Sequence, residues 1–165
     1  MKSNVPNFWK WFFFGNLFPH EKAGIKNYFD FWLIIHLIIS SFLTYLFYNK
    51  EINMIVILFI EISSCIIISI WGSKALFLLN TKQIIKLTEF SKNSIISYTF
   101  KLQSSILSLF ISIILWTIFY LNILQNNIIL FIAFFSTSIL IRECWQNILL
   151  SNMLTIYRSK IILNK

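Results

Sequence analysis

The sequence predicts an all-α fold: an integral membrane four-helix bundle with both chain ends on the cytoplasmic side. Three observations support this prediction. The composition is 58% hydrophobic and only 12% charged, whereas soluble domains carry about 25% charged residues. Four apolar segments are long enough to cross a bilayer, and nearly all basic residues lie on one side of them. We expect residues 1–165 to form a single membrane domain without a separate soluble module.

The N-terminal segment, residues 1–27, is rich in aromatic residues but too interrupted to span a bilayer. Pro6 suits the first turn of a helix, and a face of tryptophan and phenylalanine beside lysine is typical of helices in the membrane interface. We therefore predict an interfacial helix on the cytoplasmic side. Its aromatic side chains serve either as a membrane anchor or as a docking surface for a partner, and they are Trp9, Trp11, Phe12 and Phe13.

Each predicted span contains about 20 predominantly apolar residues, the length that a hydrocarbon core of about 30 Å requires. Each should be a helix, because only a helix satisfies its own backbone N–H and C=O groups in lipid. The spans are residues 28–48, 52–71, 102–121 and 128–150. We also predict a cytoplasmic helical extension at 72–101, between the second and third spans, and a cytoplasmic tail at 151–165.

The distribution of basic residues predicts the orientation. Of the fourteen lysines and arginines, only Lys50 falls in a loop on the opposite side, and Glu51 follows it directly. Basic residues accumulate on the cytoplasmic side of membrane proteins, so both termini are expected there. We attribute the net charge of +8 to topology and to contact with anionic membrane lipid rather than with nucleic acid.

The third span carries a small polar residue on successive turns, at Ser104, Ser108 and Ser112. One interpretation is packing, in which small side chains let two helix backbones approach closely. The other is that several copies of the chain surround a common axis and these hydroxyls line a wet pore. A pore would require a homo-oligomer, because four helices alone do not enclose a channel.

An acidic residue, Glu61, stands near the middle of the second span. A charge at the bilayer centre costs roughly 2.5 kcal/mol or more, so this carboxyl group is expected to have a partner. Counting along the helices at about 1.5 Å of rise per residue places Glu61 and His36 at similar depth. Their spans are joined by a short turn. We predict that they form an intramembrane polar pair, either a structural hydrogen bond or a proton or ion site.

A second group of charged residues is predicted near the cytoplasmic level, where long side chains can extend toward water. Pairing between helices is the simpler expectation for this group, and an inner gate made of salt bridges is the functional one. Its members are Asp30, Lys101, Arg142 and Glu143.

The sequence contains no nucleophile, metal-ligand or phosphate-binding motif that would indicate an enzyme. Cys65 and Cys144 stand apart, without the clustering of cysteine and histidine that a zinc site needs. Two histidines and six acidic residues are sparse material for catalysis. We therefore expect no enzymatic activity, no metal and no cofactor.

The predicted architecture, four short spans with both termini inside and no soluble domain, resembles two groups of small bacterial membrane proteins. One group comprises the channel-forming effectors of anti-phage defence operons. That resemblance implies an oligomeric pore that depolarises the inner membrane when a cytoplasmic protein or a nucleotide or oligonucleotide signal from the same operon reaches it. The other group, the immunity proteins against pore-forming bacteriocins, implies a non-conducting protein.

The leading hypothesis from the sequence is an oligomeric ion channel or pore that is gated from the cytoplasmic side. The alternative is a non-conducting interaction protein, either an immunity protein or an assembly subunit of a larger membrane complex. A small proton-coupled carrier that uses Glu61 is a third possibility, and it would need a dimer to build an alternating-access site.

Overall fold

A computed structural model describes residues 7–14, 28–48, 50, 52–79, 92–121 and 126–163 of the chain. All regular structure within these residues is helical, which confirms the all-α prediction. The helices are α1 (Phe8–Phe14), α2 (Phe31–Leu46), α3 (Met54–Leu79), α4 (Lys92–Tyr120) and α5 (Asn127–Leu163). Three of them are long and apolar enough to cross a membrane: α3, the part of α4 from Tyr98 onward, and the part of α5 that ends at Ile156. The helix α2 is also apolar but is shorter.

Two helices continue beyond the predicted span ends. The second predicted span ends at Trp71, and α3 runs on to Leu79, which includes the first residues of the helical extension predicted at 72–101. The helix α5 likewise continues past Leu150 to Leu163. Residues 15–27 and 80–91, which hold parts of the predicted N-terminal segment and of the predicted cytoplasmic extension, lie outside the described residues.

Four helices begin at an asparagine or aspartate whose side chain accepts a backbone N–H from the first turn. The first N–H groups of a helix have no partner within it, and a side-chain oxygen at the cap position satisfies one of them. An unsatisfied N–H is more costly near lipid than in water. The caps and their N···O distances are Asn7 (3.0 Å), Asp30 (3.0 Å), Asn53 (2.9 Å) and Asn126 (3.3 Å).

The helix α5 is the centre of the bundle. It packs against α2, α3 and α4, while α3 also packs against α4, and α1 lies on α4. The last residues of α2 and α4 and the first residues of α3 and α5 pack together at one end of the bundle, which we call the short-loop end. The opposite end is the long-loop end. Apolar contacts fill three layers between them, around Trp116 and Phe134 at the short-loop end, Leu109 and Leu140 in the middle, and Leu78, Leu79 and Leu154 at the long-loop end.

The helices α3 and α4 approach closely at Gly72. A Cβ atom at this position would lie 2.5 Å from Cδ1 of Leu102, which is well inside van der Waals contact. Ala75, one turn further along α3, is completely buried. Small residues at a helix interface allow this kind of approach in membrane proteins.

The outside of the bundle is covered with large apolar side chains. Ile55 and Phe59 on α3 are more than two thirds exposed, and Phe110 on α4 is more than half exposed. A continuous apolar surface of this kind would be a liability in water, but it is what a hydrocarbon solvent requires. Together with the three long apolar helices, this surface identifies a membrane protein.

Candidate functional site

A buried carboxyl group joins three helices toward the short-loop end. Glu61 on α3 is only 6% exposed, and its Oε1 accepts a hydrogen bond of 2.5 Å from the hydroxyl of Ser112 on α4. The Ser112 hydroxyl lies 3.2 Å from Oγ1 of Thr137 on α5, and Nε1 of Trp116 donates to the same Thr137 oxygen at 2.8 Å. We call these four residues the Glu61 cluster.

The Glu61 cluster accommodates the carboxyl group in either protonation state. The Thr137 hydroxyl donates to the backbone oxygen of Ala133 at 2.9 Å, so its own oxygen remains an acceptor for Trp116 and Ser112. When Glu61 is ionised, the Ser112 hydroxyl donates its hydrogen bond to the carboxylate. When Glu61 is protonated, its carboxyl group donates a hydrogen bond to the Ser112 oxygen, and the Ser112 hydroxyl donates to Thr137 instead.

The structure does not join Glu61 and His36 in the predicted hydrogen-bonded pair. His36 is buried on α2, and neither of its ring nitrogens has a hydrogen-bond partner within the part of the chain that the structure describes. The reason is the arrangement of the helices, since α2 packs mainly against α5 while the Glu61 carboxyl group is bonded to α4. A short turn orders two spans along the chain, but it does not make them the main packing partners of each other.

A second buried acid, Glu143 on α5, lies toward the long-loop end. Its Oε2 accepts a hydrogen bond of 2.8 Å from Ser105 on α4. The amide of Asn147 donates to Ser105 Oγ at 3.1 Å and to the backbone oxygen of Glu143 at 2.9 Å, and the Tyr98 hydroxyl donates to Asn147 Oδ1 at 3.3 Å. We call Tyr98, Ser105, Glu143 and Asn147 the Glu143 cluster.

A polar cavity of about 250 Å³ adjoins the Glu143 cluster. Lys101 and Gln146 line it together with members of the cluster. The positive charges of Arg142 and Lys101 act on the Glu143 carboxyl group, and the phenol of Tyr28 lies beside it. This end of the bundle therefore contains the mixed charges that the sequence predicts near the cytoplasmic level.

Two of the four predicted inner-gate residues form an ion pair. Nη2 of Arg142 on α5 lies 2.8 Å from Oδ2 of Asp30, and its Nη1 donates to Oδ1 at 3.4 Å. Asp30 is also the residue that caps α2. One carboxylate therefore both starts α2 and attaches it to α5. The other two members, Lys101 and Glu143, meet at the polar cavity described above.

The three serines predicted to share one face of the third span lie on two different faces of α4. Ser104 and Ser112 are buried, at 5% and 0% exposure, and Ser108 is half-buried. Ser104 and Ser108 both line an apolar groove beside α2. Eight helical residues leave the side chains of Ser104 and Ser112 about 80° apart, whereas seven leave Ser105 and Ser112 only about 20° apart. Ser105, which shares the face of Ser112, is the serine that binds the second acid.

An apolar layer separates the two acidic clusters. Ile68, Leu109, Leu140 and Cys144 fill the interior between them. The Cys144 thiol lies 3.8 Å from the backbone oxygen of Ser64, and Cys144 lies within electrostatic range of both Glu61 and Glu143. The Glu61 and Glu143 clusters are thus separate from one another, and other buried polar side chains, such as Ser64 and Ser136, belong to neither cluster.

The aromatic residues of α1 divide between the protein and its surroundings. Trp11 is buried and its ring centroid lies 5.5 Å from that of Phe100 on α4. Trp9 and Phe13 are more than half exposed and stack on one another, and Phe12 is half-buried. Trp11 therefore attaches α1 to the bundle, which leaves Trp9 and Phe13 as the outward-facing residues.

The two clusters can hold protons and bind helices to one another, and no member is a cysteine or lysine nucleophile. No group of three or more histidine, cysteine, aspartate or glutamate side chains capable of holding a metal occurs in the described residues. Sequence reasoning missed Thr137, although it is a polar group inside an apolar span, which is the signal that singled out Glu61. We found no match between this chain and any protein-family model, curated protein or solved structure.

Proposed function

We propose that this protein spans a bacterial inner membrane four times, with both ends in the cytoplasm, and acts as a non-conducting interaction subunit. The observation that carries the proposal is the use of the serine hydroxyls of α4. Ser105 and Ser112 are bonded inside the protomer, to Glu143 and Glu61 respectively. Hydroxyls that line a wet pore face water instead.

The role of α2 as the fourth span is supported by the residues at its two ends. Its 16 residues rise about 24 Å, which is short for a hydrocarbon core of about 30 Å. The ion pair of Asp30 and Arg142 lies at its beginning, and the exposed Tyr45 and Tyr48 lie at its end. Charged pairs and tyrosines are typical of the two membrane interfaces, so α2 fits a locally thinned bilayer.

The interior and the exterior of the bundle both favour a non-conducting protein. Inside, the apolar layer around Leu109 and Leu140 interrupts the polar path between the two acidic clusters. Outside, large apolar side chains cover the exposed faces of α3 and α4, as at Phe59 and Phe110. Conduction needs a polar or hydrated lining. The subunit would instead use its apolar surface to contact lipid and other membrane helices, as an immunity protein or an assembly subunit does.

One observation supports a second candidate, the oligomeric pore gated from the cytoplasm. The polar cavity beside Lys101 and Glu143 lies at the long-loop end, where the basic residues of the sequence indicate the cytoplasm. An inner vestibule would occupy this position. In that case a homo-oligomer would open toward it when a cytoplasmic protein or a nucleotide signal binds, as in anti-phage defence effectors.

The two candidates are separated by the membrane potential of cells that produce the protein together with its chromosomal neighbours, followed with a voltage-sensitive dye. An interaction subunit leaves the potential unchanged under every trigger, and Ser108→Leu has no effect on it. A pore gives inducible depolarisation that Ser108→Leu weakens. Ser69→Leu, at an exposed position on α3, is the matched control. Depolarisation that is lost in the Ser108 variant and kept in the Ser69 variant would reject the interaction subunit.

A further inference from the structure

A lateral groove of about 300 Å³ runs between α3 and α4 toward the short-loop end. Its walls are almost entirely apolar, and Glu61 is the only acidic residue among the described residues that line it. The residues that define the lateral groove include Leu58, Glu61, Ile62, Leu109, Ile113 and Trp116. Leu58 and Ile62 are about half exposed, so the groove opens toward the surroundings of the bundle.

Glu61 contributes a polar group to this groove, and one of its two carboxyl oxygens has no hydrogen-bond partner among the described residues. Oε1 of Glu61 accepts from Ser112, but Oε2 is buried and has no hydrogen-bond partner in the described part of the chain. The other nitrogen and oxygen groups of the groove are satisfied. Nε1 of Trp116 donates to Thr137, and the hydroxyls of Thr117 and Tyr120 donate to backbone oxygens. A buried carboxyl oxygen without a donor is costly in an apolar medium.

Lipid cannot supply the missing donor. Glu61 lies about two turns into α3, roughly 10 Å from the helix start at Met54. Lipid headgroups remain at the interface, and acyl chains carry no hydrogen-bond donor. A second copy of this chain is also a poor source, because no lysine or arginine in the described spans occupies an exposed position at this depth. A donor at this depth is best presented by another membrane-spanning helix.

We propose that the lateral groove binds a membrane-spanning helix of a partner protein, and that a lysine or arginine on that helix pairs with Oε2 of Glu61. The charges are complementary, and pairing relieves the desolvation of both groups. The apolar side chains of Leu58, Ile62 and Ile113 provide the ridges between which the side chains of the partner helix pack. This inference rests on the proposed role as an interaction subunit, and it names the chemistry of the partner.

The test uses the full chain, labelled with a fluorescent donor and reconstituted in phosphatidylcholine vesicles. The probes are three acceptor-labelled synthetic helices of leucine and alanine. In the first peptide, one lysine lies roughly 10 Å from the end that inserts on the short-loop side, which is the depth of Glu61. The second peptide has leucine at that position, and the third has its lysine at the end of the peptide instead. Energy transfer gives each affinity. We expect the first peptide to bind about tenfold more tightly than the other two.

Variants locate the effect. Glu61→Gln should abolish the preference for the first peptide and leave the weak binding of the leucine peptide unchanged. Ile62→Trp, which fills the groove and retains Glu61, should abolish binding of the first peptide. Glu143→Gln, the matched change at the other buried acid, should keep the preference. Circular dichroism and thermal melting establish that each variant is folded. If the groove-filling variant Ile62→Trp fails to fold, Ile113→Trp at the same groove replaces it.

Three results would overturn the proposal. Equal binding of the lysine and leucine peptides would indicate that lipid chains occupy the groove. A preference for the first peptide that survives in Glu61→Gln would show that the lysine binds at another site. Self-association of the chain that depends on Glu61 and excludes the peptide would assign the groove to a second copy. These results are independent of the membrane-potential experiment, so a protein that conducts ions but prefers the lysine peptide would reject only the proposed function.

Discussion

Ser112 on α4 and Glu61 on α3 share a hydrogen bond of 2.5 Å in the interior of the bundle. The serine is completely buried and the glutamate nearly so. This contact explains how an acidic residue is tolerated in an otherwise apolar helix, because the acid is bonded to a neighbouring helix of its own protomer. The same solution recurs between Ser105 and Glu143 near the other end.

The contact between Glu61 and Ser112 should contribute measurably to the stability of the bundle. Ser112→Ala and Glu61→Ala, which each remove one partner of the hydrogen bond, should each lower the free energy of unfolding, and a double-mutant cycle should give a coupling energy of about 0.5–2 kcal/mol. Unfolding in mixtures of a mild detergent and dodecyl sulfate provides the measurement. Ser69→Ala, at an exposed position on α3, should have little effect. Strictly additive single effects would show that the two side chains do not interact.

The ion pair of Asp30 and Arg142 should hold α2 against α5. Asp30→Asn removes the charge but keeps a good helix cap, so it isolates the ion pair, and we expect a loss of about 1 kcal/mol. Asp30→Ala removes the cap as well and should cost about 1 kcal/mol more. Thermal unfolding in detergent gives both values. If the asparagine and alanine variants were equally stable, the cap would contribute nothing, contrary to the geometry of Trp32 N–H and Asp30 Oδ1.

The close approach at Gly72 should tolerate one methyl group and no more. In Gly72→Ala the new Cβ meets only the flexible end of the Leu102 side chain, which can rotate away, so the change should cost less than about 1 kcal/mol. Gly72→Leu should cost about 1–3 kcal/mol or more by forcing α3 and α4 apart. Ser73→Leu, at the adjacent exposed position, is the control. A leucine at 72 that left the melting temperature unchanged would be incompatible with this packing.

The helices were the predictable part of the structure. An apolar run of about 20 residues leaves the backbone few alternatives in lipid, and the caps at Asn53 and Asn126 stand where a polar residue precedes such a run. The ion pair of Asp30 and Arg142 also follows from the grouping of four charged residues at one level. These features depend on local sequence and on depth, both of which can be counted along the chain.

The partner of each helix could not be predicted in the same way. The apolar residues of α3 and α5 are spread around the whole helix rather than gathered on one face, so their sequences do not indicate which face is buried or against which neighbour. Sequence reasoning paired Glu61 with His36 because their spans are consecutive, whereas the bundle places Ser112 against Glu61. The serines of α4 were assigned to one stripe because they recur every four residues, but the helical repeat of about 3.6 residues turns them onto two faces. Only the packed helices decide such contacts.

The central claim is that the two buried acids of the spans bond to serines of α4 inside one protomer, and that the serines of α4 do not line a pore. Reaction with a charged, water-soluble thiol reagent tests this most directly, in membranes that contain single-cysteine variants of a chain whose Cys65 and Cys144 are replaced by alanine. Asn126→Cys, at an exposed helix start, should react readily. Ser104→Cys and Ser112→Cys should not react from either side of the membrane. Reaction of Ser104→Cys, Ser108→Cys and Ser112→Cys at rates close to that of Asn126→Cys would contradict the account.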